Sequence, residues 1–175
     1  MWSIIRPATQ APHWHSRVGS NAGAARPILD PSSCSSPMNG HCLCGAVSFT
    51  SPDARDIGAC HCGYCRRWGG GPMLAVHCGP GVEFTGAQNI AVYASSPWAE
   101  RAFCKSCGTH LYYKLLATGE YFVPAGAFDS NDFELASQIY VDKKPGYYSF
   151  ANQTPMLTEQ QVVEQFAAQG GEGGA

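Results

Sequence analysis

Cys60-His61-Cys62-Gly63-Tyr64-Cys65-Arg66-Arg67 places three cysteines inside one short segment. Two further clusters flank it, Cys42-Leu43-Cys44-Gly45 before and Cys104-Lys105-Ser106-Cys107-Gly108-Thr109-His110 after. Zinc takes thiolate and imidazole ligands in a tetrahedron. A C-x-x-C turn suits that geometry because its two sulfurs converge on one point. A C-x-C pair on extended backbone does so as well, since side chains two apart share a face. The glycine after Cys44 and the glycine after Cys107 supply a residue free to adopt positive φ where each turn closes.

Simple arithmetic then divides the sulfurs. The two outer clusters together supply four ligands, Cys42, Cys44, Cys104 and Cys107, and the middle one supplies three, Cys60, Cys62 and Cys65. Four thiolates fill a zinc ion's coordination and make a structural site. Three leave a position for water or substrate, which is the mark of catalytic zinc. Two zinc ions per chain are therefore expected. The spacing leaves open a closed middle site completed by His61 or His77, a cysteine pairing outside its cluster, or a middle cluster without metal. Cys34 and Cys78 read as spare thiols, and Arg66 and Arg67 as groups that offset the anionic site or receive a substrate carboxylate, or as plain solvated charges. His110 reads as a packed or surface histidine rather than a ligand, and Trp68, Tyr147, Tyr148 and Phe150 as core aromatics in preference to pocket walls.

Outside the clusters, short apolar or alternating runs occupy 46–50, 73–77, 82–85, 90–93, 110–114, 121–125 and 138–141, with Gly, Pro, Asp and Asn in the gaps. This texture predicts a mainly β fold. Thr158 and Gln161 have capping-box spacing, and Val162, Val163 and Phe166 follow as a short apolar stripe, which predicts a short C-terminal helix. Residues 1–38 are rich in Ala, Pro, Ser and Gly, with His13 and His15 among them, and read as a disordered leader that the domain does not need. Residues 39–168 form the expected zinc domain and 169–175 a flexible tail.

Composition narrows the function. The chain has 175 residues and a hydrophobic content of 45 %, enough for one core. Eleven basic against 13 acidic residues give a net charge of −2 without a basic block, which argues against nucleic acid or a charged membrane surface as partner. No apolar run reaches the roughly 18–20 residues of a membrane span. The opening Met1-Trp2-Ser3-Ile4-Ile5-Arg6-Pro7 stops short of the apolar core of about 7–15 residues in a signal peptide. A cytoplasmic setting with reduced thiols is thus expected, and the nine cysteines are read as metal ligands rather than a disulfide framework.

The three clusters, with Gly40-His41 before the first, Phe103 before the third, and Ile139-Tyr140-Val141-Asp142-Lys143-Lys144-Pro145 beyond, resemble the family of glutathione-dependent formaldehyde-activating enzymes, whose domain also occurs in centromere protein V. The resemblance runs over about residues 40–150. It implies an Mss4-like fold of β-sheets around zinc, a catalytic zinc on the middle triplet and a structural zinc on the outer quartet. It also implies a carbon–sulfur lyase activity that joins glutathione and formaldehyde reversibly into S-hydroxymethylglutathione. Where family members often carry a Trp after the proline, this chain has Gly146-Tyr147-Tyr148. The competing class is a non-catalytic zinc scaffold or a module that binds a protein or another ligand.

Overall fold

The computed structural model describes residues 36–170. The expected leader, with His13, His15 and Cys34, lies almost wholly outside them. Eleven strands and two helices follow in order. Strands β1 (Met38–His41), β2 (Ser48–Ser51) and β5 (Glu83–Thr85) form an antiparallel three-stranded sheet. The second sheet has eight strands. Its members are β3 (Asp56–Cys60), β4 (Met73–Gly79), β6 (Ile90–Ser96), β7 (Ala99–Cys104), β8 (His110–Leu115), β9 (Tyr121–Pro124), β10 (Glu134–Ile139) and β11 (Met156–Leu157). Their spatial order is β11-β10-β3-β4-β9-β8-β7-β6, with β10 parallel to both β3 and β11 and the other pairs antiparallel. The mainly β expectation holds.

The two sheets close on a core of Val47, Phe49, Val76, Leu111, Val123 and Phe128. Phe49 meets Phe128 edge to face at 5.1 Å. A bridge from Gly40 to Phe128 draws β1 onto this core. A Cβ at Gly40 would run into the Ala127 carbonyl and the Phe49 ring, so the close approach requires glycine. Met38 is buried in the same cluster.

The strands missing from the sequence reading are β1, β3, β7 and β11. Both β3 (Asp-Ile-Gly-Ala-Cys) and β7 (Ala-Glu-Arg-Ala-Phe-Cys) lie inside the eight-stranded sheet and carry small residues where a half-buried strand would alternate. Strand β10 covers 134–139 rather than 138–141, because Tyr140 turns into the left-handed region at φ 57° and ends it. Helix α1 (Gly63–Gly69) was also unforeseen.

Helix α2 (Glu159–Gly170) starts as its capping box predicts. Thr158 N–H donates to Gln161 Oε1 at 2.8 Å, and Gln161 N–H returns to Thr158 Oγ1 at 3.4 Å. Of the expected apolar stripe only Val162 is buried, while Val163 and Phe166 are more than half exposed. No helix among the described residues is long and apolar enough to cross a membrane.

Candidate metal centres and the adjoining cavity

Two groups of sulfurs converge, and they are the two expected from spacing. Sγ atoms of Cys42, Cys44, Cys104 and Cys107 lie within 4.8 Å of one another, as do those of Cys60, Cys62 and Cys65.

The quartet is made by two turns of the same design. In the first, Gly45 N–H donates to Cys42 O at 2.9 Å. In the second, Gly108 N–H donates to Cys104 O at 2.8 Å. Gly45 at φ 74° and Gly108 at φ 76° close the respective turns in a conformation that costs other residues free energy. Cys42 and Cys104 are fully buried and Cys44 is exposed. Sulfur separations are 3.5 Å for Cys42–Cys44 and 3.8 Å for Cys44–Cys104. A tetrahedron with Zn–S bonds of about 2.3 Å has sulfur–sulfur edges of about 3.8 Å, so the quartet fits zinc as it stands.

Hydrogen bonds reinforce the fit. Val47 N–H donates to Cys42 Sγ at 3.3 Å. The Thr109 hydroxyl accepts from Leu43 N–H at 3.1 Å and lies 3.2 Å from Cys107 Sγ, so one side chain ties the two turns together. The Thr109 hydroxyl and then its N–H bring the Cys107 thiol down to about 5. Cys44 moves the other way, to about 11. An N–H from Ala46 favours its thiolate, but the Cys107 and Cys42 sulfurs outweigh it. Sulfurs this close compete for negative charge, and a shared divalent cation lets all of them ionise together.

The triplet is built differently, from the end of one strand and the start of one helix. Cys60 ends β3, paired with Ile139 of β10 and Met73 of β4. Cys62 is the N-cap of α1, and its sulfur accepts from Cys65 N–H at 3.4 Å. Cys65 is buried on the inner face of α1. The neighbouring Cys62 and Cys65 sulfurs, followed by burial, push the Cys60 thiol far up, while hydrogen bonds from Cys60 and Cys65 pull Cys62 down to about 2. One sulfur thus holds the charge that a cation would let all three carry.

Neither histidine considered as a fourth ligand belongs to this group. His61 is fully buried, with Nδ1 2.8 Å from Tyr148 Oη and Nε2 3.1 Å from Gln138 Oε1. His77 pairs with Glu120 at 3.2 Å and stacks on Phe122. Among the described residues the triplet contains cysteines alone. Cys78 is buried in the core, away from both groups, and burial raises its thiol.

The family model for glutathione-dependent formaldehyde-activating enzymes matches residues 37–143. An uncharacterized lyase of Schizosaccharomyces pombe is 36 % identical over 128 residues, which cover 71 % of this chain and 93 % of the relative. The chain belongs to the glutathione-dependent formaldehyde-activating enzyme family. Among solved structures, a Rhodobacter sphaeroides protein aligns at 27 % identity with a TM-score of 0.46, over 53 % of this chain and 89 % of its own.

In this family member the two arginines that follow the triplet take different directions. Arg66 Nε donates to His61 O at 2.9 Å. Arg67 lines a cavity of about 480 Å³ together with Tyr64, Trp68, Tyr93, Arg101 and His110. Trp68, expected in the core, forms a wall of this cavity, stacked on Tyr93 at 6.0 Å and 4.9 Å from the His110 ring. His110 is half-buried, and burial followed by the Arg101 charge lowers its pKa. Tyr148 and Phe150 flank His61, while Tyr147 is 76 % exposed.

The sequence reading missed Arg101. It is buried on β7, and its Nη2 donates to Cys65 Sγ at 3.4 Å. Its guanidinium also lies 4.9 Å from the centroid of the Tyr113 ring. The available signal was an arginine inside the short run Ala99–Cys104 that leads into a cysteine of the quartet, but without that strand assigned it had no face.

Proposed function

We propose that this protein is a zinc-dependent carbon–sulfur lyase that makes and breaks adducts of glutathione, or a similar thiol, with an aldehyde such as formaldehyde. S-hydroxymethylglutathione is the representative adduct. Cys60, Cys62 and Cys65 hold the catalytic zinc, and Cys42, Cys44, Cys104 and Cys107 hold a structural one. The single observation that carries this reading is a cluster of three cysteines joined by no fourth protein ligand among the described residues, with Arg101, which donates to Cys65, also lining a cavity of small-molecule size. Family membership and a relative named as a lyase support the same chemistry.

The reaction is an addition without redox change. The thiol sulfur bonds to the carbonyl carbon, the carbonyl π pair moves to oxygen, and the proton lost from sulfur ends on that oxygen. Zinc on the triplet supplies the positive charge that lowers a coordinated thiol's pKa. The chain's own residues do the rest. Cys60 is fixed by β-pairing and Cys62 by its N–H···S cap, so the cluster rests on rigid elements. Arg67 lines the cavity, where it is proposed to receive a substrate carboxylate, and Arg66, whose Nε donates to His61 O, is proposed to receive a second one with its remaining donors. Three thiolates would donate charge to a zinc held on the triplet, and Arg101, which donates a hydrogen bond to Cys65 Sγ, would offset part of that donation.

Exchange NMR on glutathione with formaldehyde, with zinc content measured on the same sample, tests the reading. Interconversion faster than the uncatalysed thiol–aldehyde reaction supports it. A rate equal to the uncatalysed one, with both zinc ions bound, assigns the protein to the scaffold or ligand-binding class instead.

A further inference from the structure

Arg101 is a fixed positive charge with 4 % of its surface exposed. Burying a guanidinium is costly unless it is paired, and the usual partner is a carboxylate. Arg101 has no carboxylate partner among the described residues, and the Cys65 sulfur is the one group in contact with it that would carry negative charge in the zinc-loaded chain. Its hydrogen bonds go to sulfur, from Nη2 to Cys65 Sγ at 3.4 Å and from Nη1 to Met73 Sδ at 3.8 Å. A guanidinium has five N–H donors in a planar fork, so these contacts leave capacity unused. The same side chain lines the cavity of about 480 Å³. Arg67 adds a second cationic side chain, and no Asp or Glu lies in the lining. Low-dielectric walls with one sign of charge concentrate ligands of the other sign. Trp68 and Tyr93 supply flat apolar surface alongside.

We infer that Arg101 reads the substrate's anionic end: it binds a carboxylate of the thiol in this cavity while its other edge touches Cys65, so that the ligand's sulfur is delivered to the three-cysteine cluster. Arg101 is thereby the specificity-determining residue, with Arg67 as a second cation at the rim. The planar fork matches a carboxylate with two parallel hydrogen bonds, which a lysine at the same place does not reproduce. The ligand class is a thiol carrying one or more carboxylates, as glutathione does; neutral thiols of similar size bind more weakly. This inference rests on the lyase reading for the identity of the thiol but not for the existence of the receptor.

S-methylglutathione separates the two, because it keeps the carboxylates and has no free thiol to react. Titration calorimetry of the zinc-loaded full chain is performed with S-methylglutathione and with its diethyl ester. The free acid is expected to bind at least about tenfold more tightly than the ester, the factor by which losing a charged hydrogen-bonded pair weakens binding. Arg101→Gln removes that preference and retains both zinc ions. Arg101→Lys restores only part of the preference. Equal binding of acid and ester by the unmodified chain, binding of neither, or full preference in Arg101→Gln overturns the inference. Should Arg101→Gln fail to fold, the acid–ester comparison on the unmodified chain and Arg101→Lys decides. A chain that prefers the acid yet never accelerates the glutathione–formaldehyde reaction refutes the lyase and keeps the receptor. A chain that turns over but does not discriminate refutes the receptor and keeps the lyase.

Discussion

The two sulfur clusters use the same ligand for opposite ends. The quartet joins Cys42 and Cys44 to Cys104 and Cys107, segments about 60 residues apart, through two turns of one design. Its contribution is long-range closure, the kind that is costly for a chain to make without a tie. The triplet lies within residues 60–65, between the end of β3 and the first turn of α1, and closes nothing distant. Tyr64 and Arg67 of α1 line the neighbouring cavity, to which Gly108 of the quartet's second turn also contributes, and Arg101 links that cavity to Cys65. On the proposed reading, separation along the chain distinguishes the cluster that stabilises the fold from the one that serves a substrate.

That contrast is easiest to break at Cys104. Cys104→Ser removes a fully buried ligand of the quartet and should destabilise the domain by more than about 4 kcal/mol, the range reached when a structural metal is lost. A thermal melt followed by circular dichroism checks this, and a parent-like melt would erase the distinction. Cys60→Ala is the matching cut in the triplet. It should lower zinc from two ions to one per chain and reduce turnover by about 100-fold or more, beyond the range for second-layer residues. Its melting temperature should fall by less than half as much as in Cys104→Ser. Thr109→Val is the gentlest test. The Thr109 hydroxyl helps hold the Cys107 thiol near 5, so its loss raises that pKa. A thiol with a depressed pKa favours the metal-bound fold above that pKa and loses it as pH falls through. In the variant, zinc release from the quartet should therefore begin at higher pH, with affinity weakened by about tenfold, while release from the triplet is unchanged. A chromogenic chelator read during acid titration follows both.

How much of this was legible in the sequence depends on how local each feature is. The seven clustered cysteines were readable because C-x-C and C-x-x-C are local patterns, and Gly45 and Gly108 do take positive φ; Cys42-Leu43-Cys44, expected on extended backbone, instead forms a turn closed by Gly45 N–H on Cys42 O. The capping box at Thr158 is local as well. Helix α1 was hidden because it spans seven residues, begins and ends on glycine, and takes its N-cap from a cysteine sulfur. Its one cue was the run Gly69-Gly70-Gly71, where Gly70 at φ 79° forms the C-cap. Arg101 was hidden for the opposite reason. Its partners, Cys65 and Tyr113, come from other elements, and only pairing β7 into the sheet brings them together. Val163 and Phe166 fit a helical stripe, yet the small contact of α2 with the sheet covers Val162 alone.

Crystallography of the zinc-loaded protein, with anomalous diffraction at the zinc edge, bears most directly on the unequal sharing of sulfurs. The predicted map has two ions, one held at about 2.3 Å by the sulfurs of Cys42, Cys44, Cys104 and Cys107, the other by those of Cys60, Cys62 and Cys65 with a solvent or ligand atom in fourth place. A second ion surrounded by four protein ligands, or sulfurs joined as cystines, would contradict it.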